Sequence, residues 1–192
     1  MKQNYIKIPS YWGFFQIVPE HNLAYTEWGI HNSEVVLCVH GLTRNSRDFD
    51  KLAEKLAKKF RVICLDMIGR GKSDWFSDKK YYNHHNYIKD LNIFIKLLGL
   101  NNFHWIGSSM GGILGMWFAS KKKYVKSLIL NDIGASIPST PVDRIHQKIA
   151  TDPTFVDFEE AKSYLKKKLS KFGIEKEEDW IHITQHSVYQ LE

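Results

Sequence analysis

Four short runs rich in valine, isoleucine and leucine, at residues 34–39, 61–65, 103–106 and 125–130, recur between stretches of a different rhythm. Runs this short and this apolar suit strands covered on both faces. The stretches between them have helical spacing. Residues 48–59 set Phe49, Leu52, Ala53 and Leu56 on one stripe, and residues 87–98 repeat with Ile88, Leu91, Ile95 and Leu98. Residues 110–120 read as a third, largely apolar helix. Strand alternating with helix predicts an α/β fold, a mostly parallel sheet with right-handed crossovers and helices on both faces.

The two ends of the chain depart from that rhythm. Residues 11–18 and 23–28 are β-type runs separated by Pro19, Glu20, His21 and Asn22, and are expected to pair with each other in antiparallel fashion. After Asn131 no clear strand follows, and Pro138, Pro141 and Pro153 punctuate a stretch of helical character. Residues 157–172 are amphipathic and stop at Gly173. Glu175, Glu177, Glu178 and Asp179 favour the positive start of another helix at about Trp180. The expected organisation is a core over residues 1–135 and a helical segment over residues 136–192.

Three motifs fall at strand ends. Gly107-Ser108-Ser109-Met110-Gly111 fits Gly-x-Ser-x-Gly centred on Ser109, after a strand and before a helix, the context in which the pattern carries chemistry. Small flanking residues permit a sharp turn that lifts the serine hydroxyl clear of the sheet. The competing reading makes Ser109 an ordinary helix N-cap. His40-Gly41-Leu42 follows the run ending at Val39, and places a glycine turn at the carboxyl edge of the sheet, where open α/β sheets bind ligands. Asp66-x-x-Gly69-x-Gly71-x-Ser73 follows the next strand. It resembles part of a phosphate loop, but a Walker A motif requires glycine where Asp66 stands, which argues against nucleotide binding.

Composition narrows the remaining classes. Hydrophobic residues make up 43% of the sequence and charged residues 25%, which fits a folded globular protein. The formal net charge of +6 comes from scattered lysines without a nucleic-acid motif, so no nucleic-acid partner is expected. Cys38 and Cys64, the only cysteines, sit in apolar runs as small buried hydrophobes and make neither a disulfide framework nor a metal cluster. No secretion signal and no apolar run of membrane-spanning length is visible, so a cytoplasmic protein without membrane contact is expected.

In this order and at these strand ends, His-Gly, Asp-x-x-Gly-x-Gly-x-Ser and Gly-x-Ser-x-Gly resemble the α/β-hydrolase superfamily over roughly residues 10–135, and the later helices resemble its cap insertion. The stretches from His40 to Ser46 and from Asn131 to Gly134 look especially like bacterial esterase-type serine hydrolases. The resemblance implies acyl transfer from a small ester, thioester or related acyl substrate. Ser109 would be the nucleophile, a histidine its base, an acid the orienter of that histidine, and the amides of Leu42 and Met110 the oxyanion hole. No metal or organic cofactor is implied.

The pattern also breaks. The superfamily's chain order is nucleophile, acid, histidine, so His40, His84, His85 and His104 come too early to be the base. His146, His182 and His186 remain, all in the cap-like segment, whereas the superfamily's histidine follows the last strand. Asp132 stands at a sheet edge where some members place the acid; the alternative is a turn residue bonding local backbone. The expectation is a hydrolase core lacking its last strands and its base, with a separate C-terminal segment as one source of both. The rival expectation is a non-catalytic remnant or binding protein.

Overall fold

The computed structural model describes residues 1–134 and 153–189. The chain divides into two compact units, Met1–Gly134 and Ala135–Glu192.

The first unit holds strands β1 (Lys2–Ile8), β2 (Tyr11–Trp12), β3 (Ile17–Val18), β4 (His21–Trp28), β5 (Val35–Val39), β6 (Arg61–Leu65), β7 (Phe103–Ser108) and β8 (Val125–Asn131). Helices α1 (Asp50–Leu56), α2 (His84–Leu97) and α3 (Met110–Lys121) connect the later strands. A six-stranded sheet runs β1-β4-β6-β5-β7-β8. Strands β6, β5, β7 and β8 are parallel, while β4 is antiparallel to both β6 and β1. This is the mostly parallel sheet that the alternating pattern predicts.

Side chains alternate across the parallel strands and build two cores. Leu37, Val39, Ile63, Leu65 and Trp105 face Leu91, Phe94 and Ile95 of α2 and Leu114 and Phe118 of α3. Val36, Cys38, Val62, Cys64 and Ile106 face Phe49 and Ala53 on the α1 side. Both faces of the sheet are therefore covered by helices, as all-apolar strands require. Cys38 and Cys64 are cross-strand neighbours and free, fully buried thiols. The first core also receives α2, whose Asn83 cap accepts a hydrogen bond from the Asn86 amide.

The N-terminal pairing differs from expectation. Residues 11–18 do not pair with residues 23–28; they fold on themselves as a β2–β3 hairpin closed by a Gly13 N–H bond to the Gln16 carbonyl (2.7 Å). The partner of β4 is β1, in register from Lys2 opposite Glu27 to Ile8 opposite His21. As an edge strand, β1 buries only Ile8 fully, so its composition stays polar and gives no apolar run to read.

In the second unit, α4 (Phe158–Lys168) begins at Asp157, whose carboxylate accepts from the Glu160 amide (2.8 Å). Glu159 and Glu160 lie in its first turn and three lysines in its last, matching the helix dipole. Helix α5 (Glu177–Ser187) follows, and Lys162 and Lys166 of α4 both pair with Glu177. Among the described residues no helix is long and apolar enough to cross a membrane.

Candidate active site

The carboxyl edge of the parallel strands gathers the three motifs. Ser109 stands between β7 and α3 with φ +47 and ψ −112. A non-glycine residue held at positive φ stores strain on the order of 1–3 kcal/mol. An ordinary cap has extended backbone, as Asn83 does with φ −142 and ψ 159. Ser109 has neither that conformation nor a side-chain cap bond. Its amide instead donates to the Asn131 carbonyl at the end of β8 (2.9 Å), and its carbonyl accepts from Gly112 (2.9 Å) and Ile113 (3.1 Å). The hydroxyl, on a half-buried residue, makes no hydrogen bond among the described residues.

Close packing explains the glycines on either side. A Cβ on Gly111 would stand 2.0 Å from the Val39 carbonyl oxygen, and one on Gly107 would stand 2.3 Å from the Gly111 carbonyl oxygen. Helix α3 thus starts pressed against the end of β5. The amide of Met110, in the first turn, has no partner within the helix.

The turn after β5 lies beside Ser109: a Cβ on Gly41 would be 3.6 Å from the Ser109 Cβ, an ordinary contact. His40 is 1% exposed, with Nδ1 2.6 Å from the Gly41 carbonyl oxygen, while Nε2 accepts from the Met67 amide (3.0 Å). A ring whose Nε2 accepts must carry its proton on Nδ1, so His40 is a neutral donor to Gly41. Burial pushes its pKa down, which outweighs the Gly41 carbonyl and Asp66 pulling it up. The Gly41 carbonyl and the Leu42 N–H belong to one trans peptide and point in opposite directions. His40 therefore fixes where the Leu42 amide aims.

The Asp66 motif supports this turn. The buried Asp66 carboxylate accepts from the amides of Ser46 (2.6 Å) and Lys72 (3.0 Å). Ser73 Oγ donates to the Asp66 carbonyl (2.6 Å) and accepts from the Ala24 amide (2.8 Å). Gly71, at φ +55, leaves no room for a Cβ, which would stand 2.3 Å from that carboxylate. The motif is a brace built from main-chain bonds. Sequence reasoning recognised its pattern without its role, and quoted the stretches that hold Ser46, Arg70 and Asn131 without assigning those three residues a part.

Asp132 follows β8, exposed, in the left-handed region at φ +54. Of the earlier histidines, His104 is tied to Glu34 (3.0 Å) and Ser127 (2.7 Å), and His84 and His85 open α2. His182 and His186 lie on α5 with ring centroids 4.6 Å apart. His146 lies outside the described residues.

A strained serine between a parallel strand and a helix, packed beneath a His-Gly turn, coincides with a family match: the alpha/beta hydrolase fold model matches residues 34–173. The chain belongs to the alpha/beta hydrolase fold family. It is 39% identical over 173 residues to the 3-hydroxybutyrate-oligomer hydrolase of Cupriavidus necator, covering 88% of this chain and 59% of that protein. It is 32% identical over 116 residues to a serine hydrolase-like protein of Homo sapiens, covering 60% of this chain and 57% of that protein. Among solved structures, a candidate hydrolase of Rickettsia typhi superposes with a TM-score of 0.94 at 40% identity, covering all of this chain and 69% of that one. This alpha/beta hydrolase chain thus spans well under two thirds of the two sequence relatives.

Proposed function

We propose that this chain carries the nucleophile of a serine hydrolase that cleaves a small acyl ester through an acyl-enzyme at Ser109. The observation that carries the reading is the strained, uncapped Ser109 at φ +47 beside the Gly41–Leu42 peptide. In the reaction, Ser109 Oγ attacks the ester carbonyl carbon and passes its proton to a histidine. The carbonyl oxygen takes up the negative charge, facing the amides of Leu42 and Met110. The alcohol leaves with the proton from that histidine. Water then attacks the acyl-enzyme by the same route, releasing the acid and restoring the serine.

Asp132 is proposed as the acid that orients the base. The base itself is proposed to come from a C-terminal segment beside β8, in the same polypeptide or as a separate piece. Strand β8 favours this: it bears the free edge of the sheet among the described residues, with Ile129 55% and Leu130 36% exposed. The relative from Cupriavidus necator is named for 3-hydroxybutyrate oligomers, and the substrate class proposed here is likewise a short hydroxyacid ester. Free buried thiols suit a reducing compartment, and the proposed location is the cytoplasm.

The same exposed edge favours a second reading, a non-catalytic protein that keeps the hydrolase core and recruits a partner strand. Labelling with a fluorophosphonate probe separates the two. Capture by the wild type, alone or with the relatives' C-terminal segment supplied, that disappears in Ser109→Ala supports the hydrolase. A folded chain that stays unlabelled in both settings rejects it in favour of the binding protein.

A further inference from the structure

The Leu42 turn is tied to the segment that follows β6. His40 takes the Met67 amide, Asp66 takes the Ser46 amide, and the third tie is the Arg70 side chain. Its Nε donates to the Leu42 carbonyl (2.9 Å), while Nη1 donates to the Ile68 carbonyl and to the Tyr87 hydroxyl, both at 2.8 Å. The guanidinium also lies over the rings of Tyr82 (5.8 Å) and Tyr87 (5.2 Å). Its backbone is fixed as well, donating to Met67 (3.0 Å) and accepting from Ser73 (3.2 Å). A side chain anchored at so many points has little freedom left to lose when it reaches out to a neighbouring carbonyl.

The geometry points to Arg70 as a positioning residue for the oxyanion hole, an assignment that rests on the serine-hydrolase reading. The Leu42 N–H takes its direction from its own 41–42 peptide, whose Gly41 carbonyl is held by His40 and by the Arg44 N–H. His40 orients the 41–42 peptide through the Gly41 carbonyl, and Arg70 orients the 42–43 peptide through the Leu42 carbonyl. Without Arg70 the 42–43 peptide is free to rotate about Leu42, which draws the Arg44 N–H off the Gly41 carbonyl and loosens the 41–42 peptide that carries the Leu42 N–H. A fork of planar donors suits this task; a lysine in its place would supply one mobile ammonium and could not hold Leu42, Ile68 and Tyr87 together. Arg70 touches no reacting atom and acts through Leu42.

The first measurement requires no turnover. Amide hydrogen exchange in the labelled chain reads the Arg44 N–H, which bonds to the Gly41 carbonyl (3.1 Å) and reports on the turn. Arg70→Gln is expected to accelerate Arg44 exchange about tenfold or more while the strand amides of Val39 and Ile106 hold their rates. Arg70→Lys, which keeps the stem and the charge but not the fork, is expected to fall between, and decides the matter should the glutamine variant unfold. Unchanged Arg44 exchange in either folded variant overturns the assignment.

The second measurement reads Ser109 capture by a neutral phosphonate. Arg70→Gln is expected to slow the chemical step by about 10–100-fold with reversible affinity changed less than about threefold, and Arg70→Lys to restore part of it. An unchanged rate, or a loss shared equally between rate and affinity, overturns the assignment. A wild-type chain that Ser109 never makes reactive counts against the serine-hydrolase reading instead, and the Arg44 exchange alone then decides whether Arg70 holds the turn.

Discussion

Two buried histidines stand at the same edge of one sheet, and their surroundings shift their pKa values in opposite directions. His40, after β5, is surrounded by main-chain groups: it gives its Nδ1 proton to Gly41 and receives a proton donor, Met67, at Nε2. His21, at the start of β4, has two acceptors, the Pro19 carbonyl at Nδ1 (2.8 Å) and the Asp90 carboxylate 3.1 Å from Nε2. The second contact is angled as an ion pair more than as a directed hydrogen bond. Burial pushes the His21 pKa down, but the Asp90 carboxylate, the Pro19 carbonyl and Asp74 outweigh it and hold the ring above its usual value. Asp90 also accepts from the Tyr11 hydroxyl (2.7 Å), so this corner ties the β2–β3 hairpin and β4 to α2. The difference teaches that burial alone does not set a histidine's charge. An N–H facing the ring favours its neutral form, whereas a carboxylate facing it favours the charged form.

The largest effect that tests this contrast is expected from His21→Leu. It strands the Asp90 carboxylate without its cation and should cost about 3–5 kcal/mol in urea unfolding. Ser109 capture in the folded fraction should be unchanged, because this corner lies on the far side of β6 from the serine. A loss below about 1 kcal/mol would mean that the pair is not charged.

His40→Gln should cost less stability, about 1–3 kcal/mol for two compromised buried hydrogen bonds, but should slow Ser109 capture by about 10–100-fold. If the two variants lost reactivity alike, the assignment of separate roles to the two corners would fail. Asn83→Ala, which removes the cap of α2 near the His21 corner, is expected to cost about 1 kcal/mol by thermal melting and to leave capture untouched.

The pH dependence should be the gentlest and the most discriminating. The His40 pKa is depressed on folding, so below its ordinary value of 6.5 the unfolded chain binds the proton more readily and stability falls with falling pH. The His21 pKa is raised, so its contribution is complete below 6.5 and is lost as pH rises through the raised value. Urea midpoints across this range should show the acid-side loss shrink in His40→Gln and the alkaline-side loss shrink in His21→Leu. Identical profiles for both variants would break the contrast.

Much of the fold was legible because its signals are local. The parallel strands announce themselves as apolar runs, since each is buried on both faces, and Gly107 and Gly111 mark a turn too tight for side chains. The strand β1 was illegible for the opposite reason: an edge strand with one wet face can be as polar as Lys2, Gln3 and Asn4 make it. The hairpin at residues 11–18 had the right local character but the wrong partner, because pairing is settled by which strands the chain brings together and by the Gly13 turn, not by composition. At the site, Ser109, His40 and Gly41 were visible in motifs, while Arg70 and Asn131 acquire their roles from contacts with residues distant in sequence.

The sequence by itself determined the alternation of strand and helix, the order of the motifs and the residue types at the strand ends, since periodicity and steric exclusion act between near neighbours along the chain. Only the tertiary structure decided that Ser109 is strained and not a cap, that His40 is a neutral donor while Asp90 pulls the His21 pKa up, and that the Asp66 motif braces the turn beside the serine. Those properties depend on which donor or acceptor arrives from another strand or loop. A side chain's protonation and aim follow from the groups that surround it in space, and for these residues the chain supplies them only after it has folded back on itself.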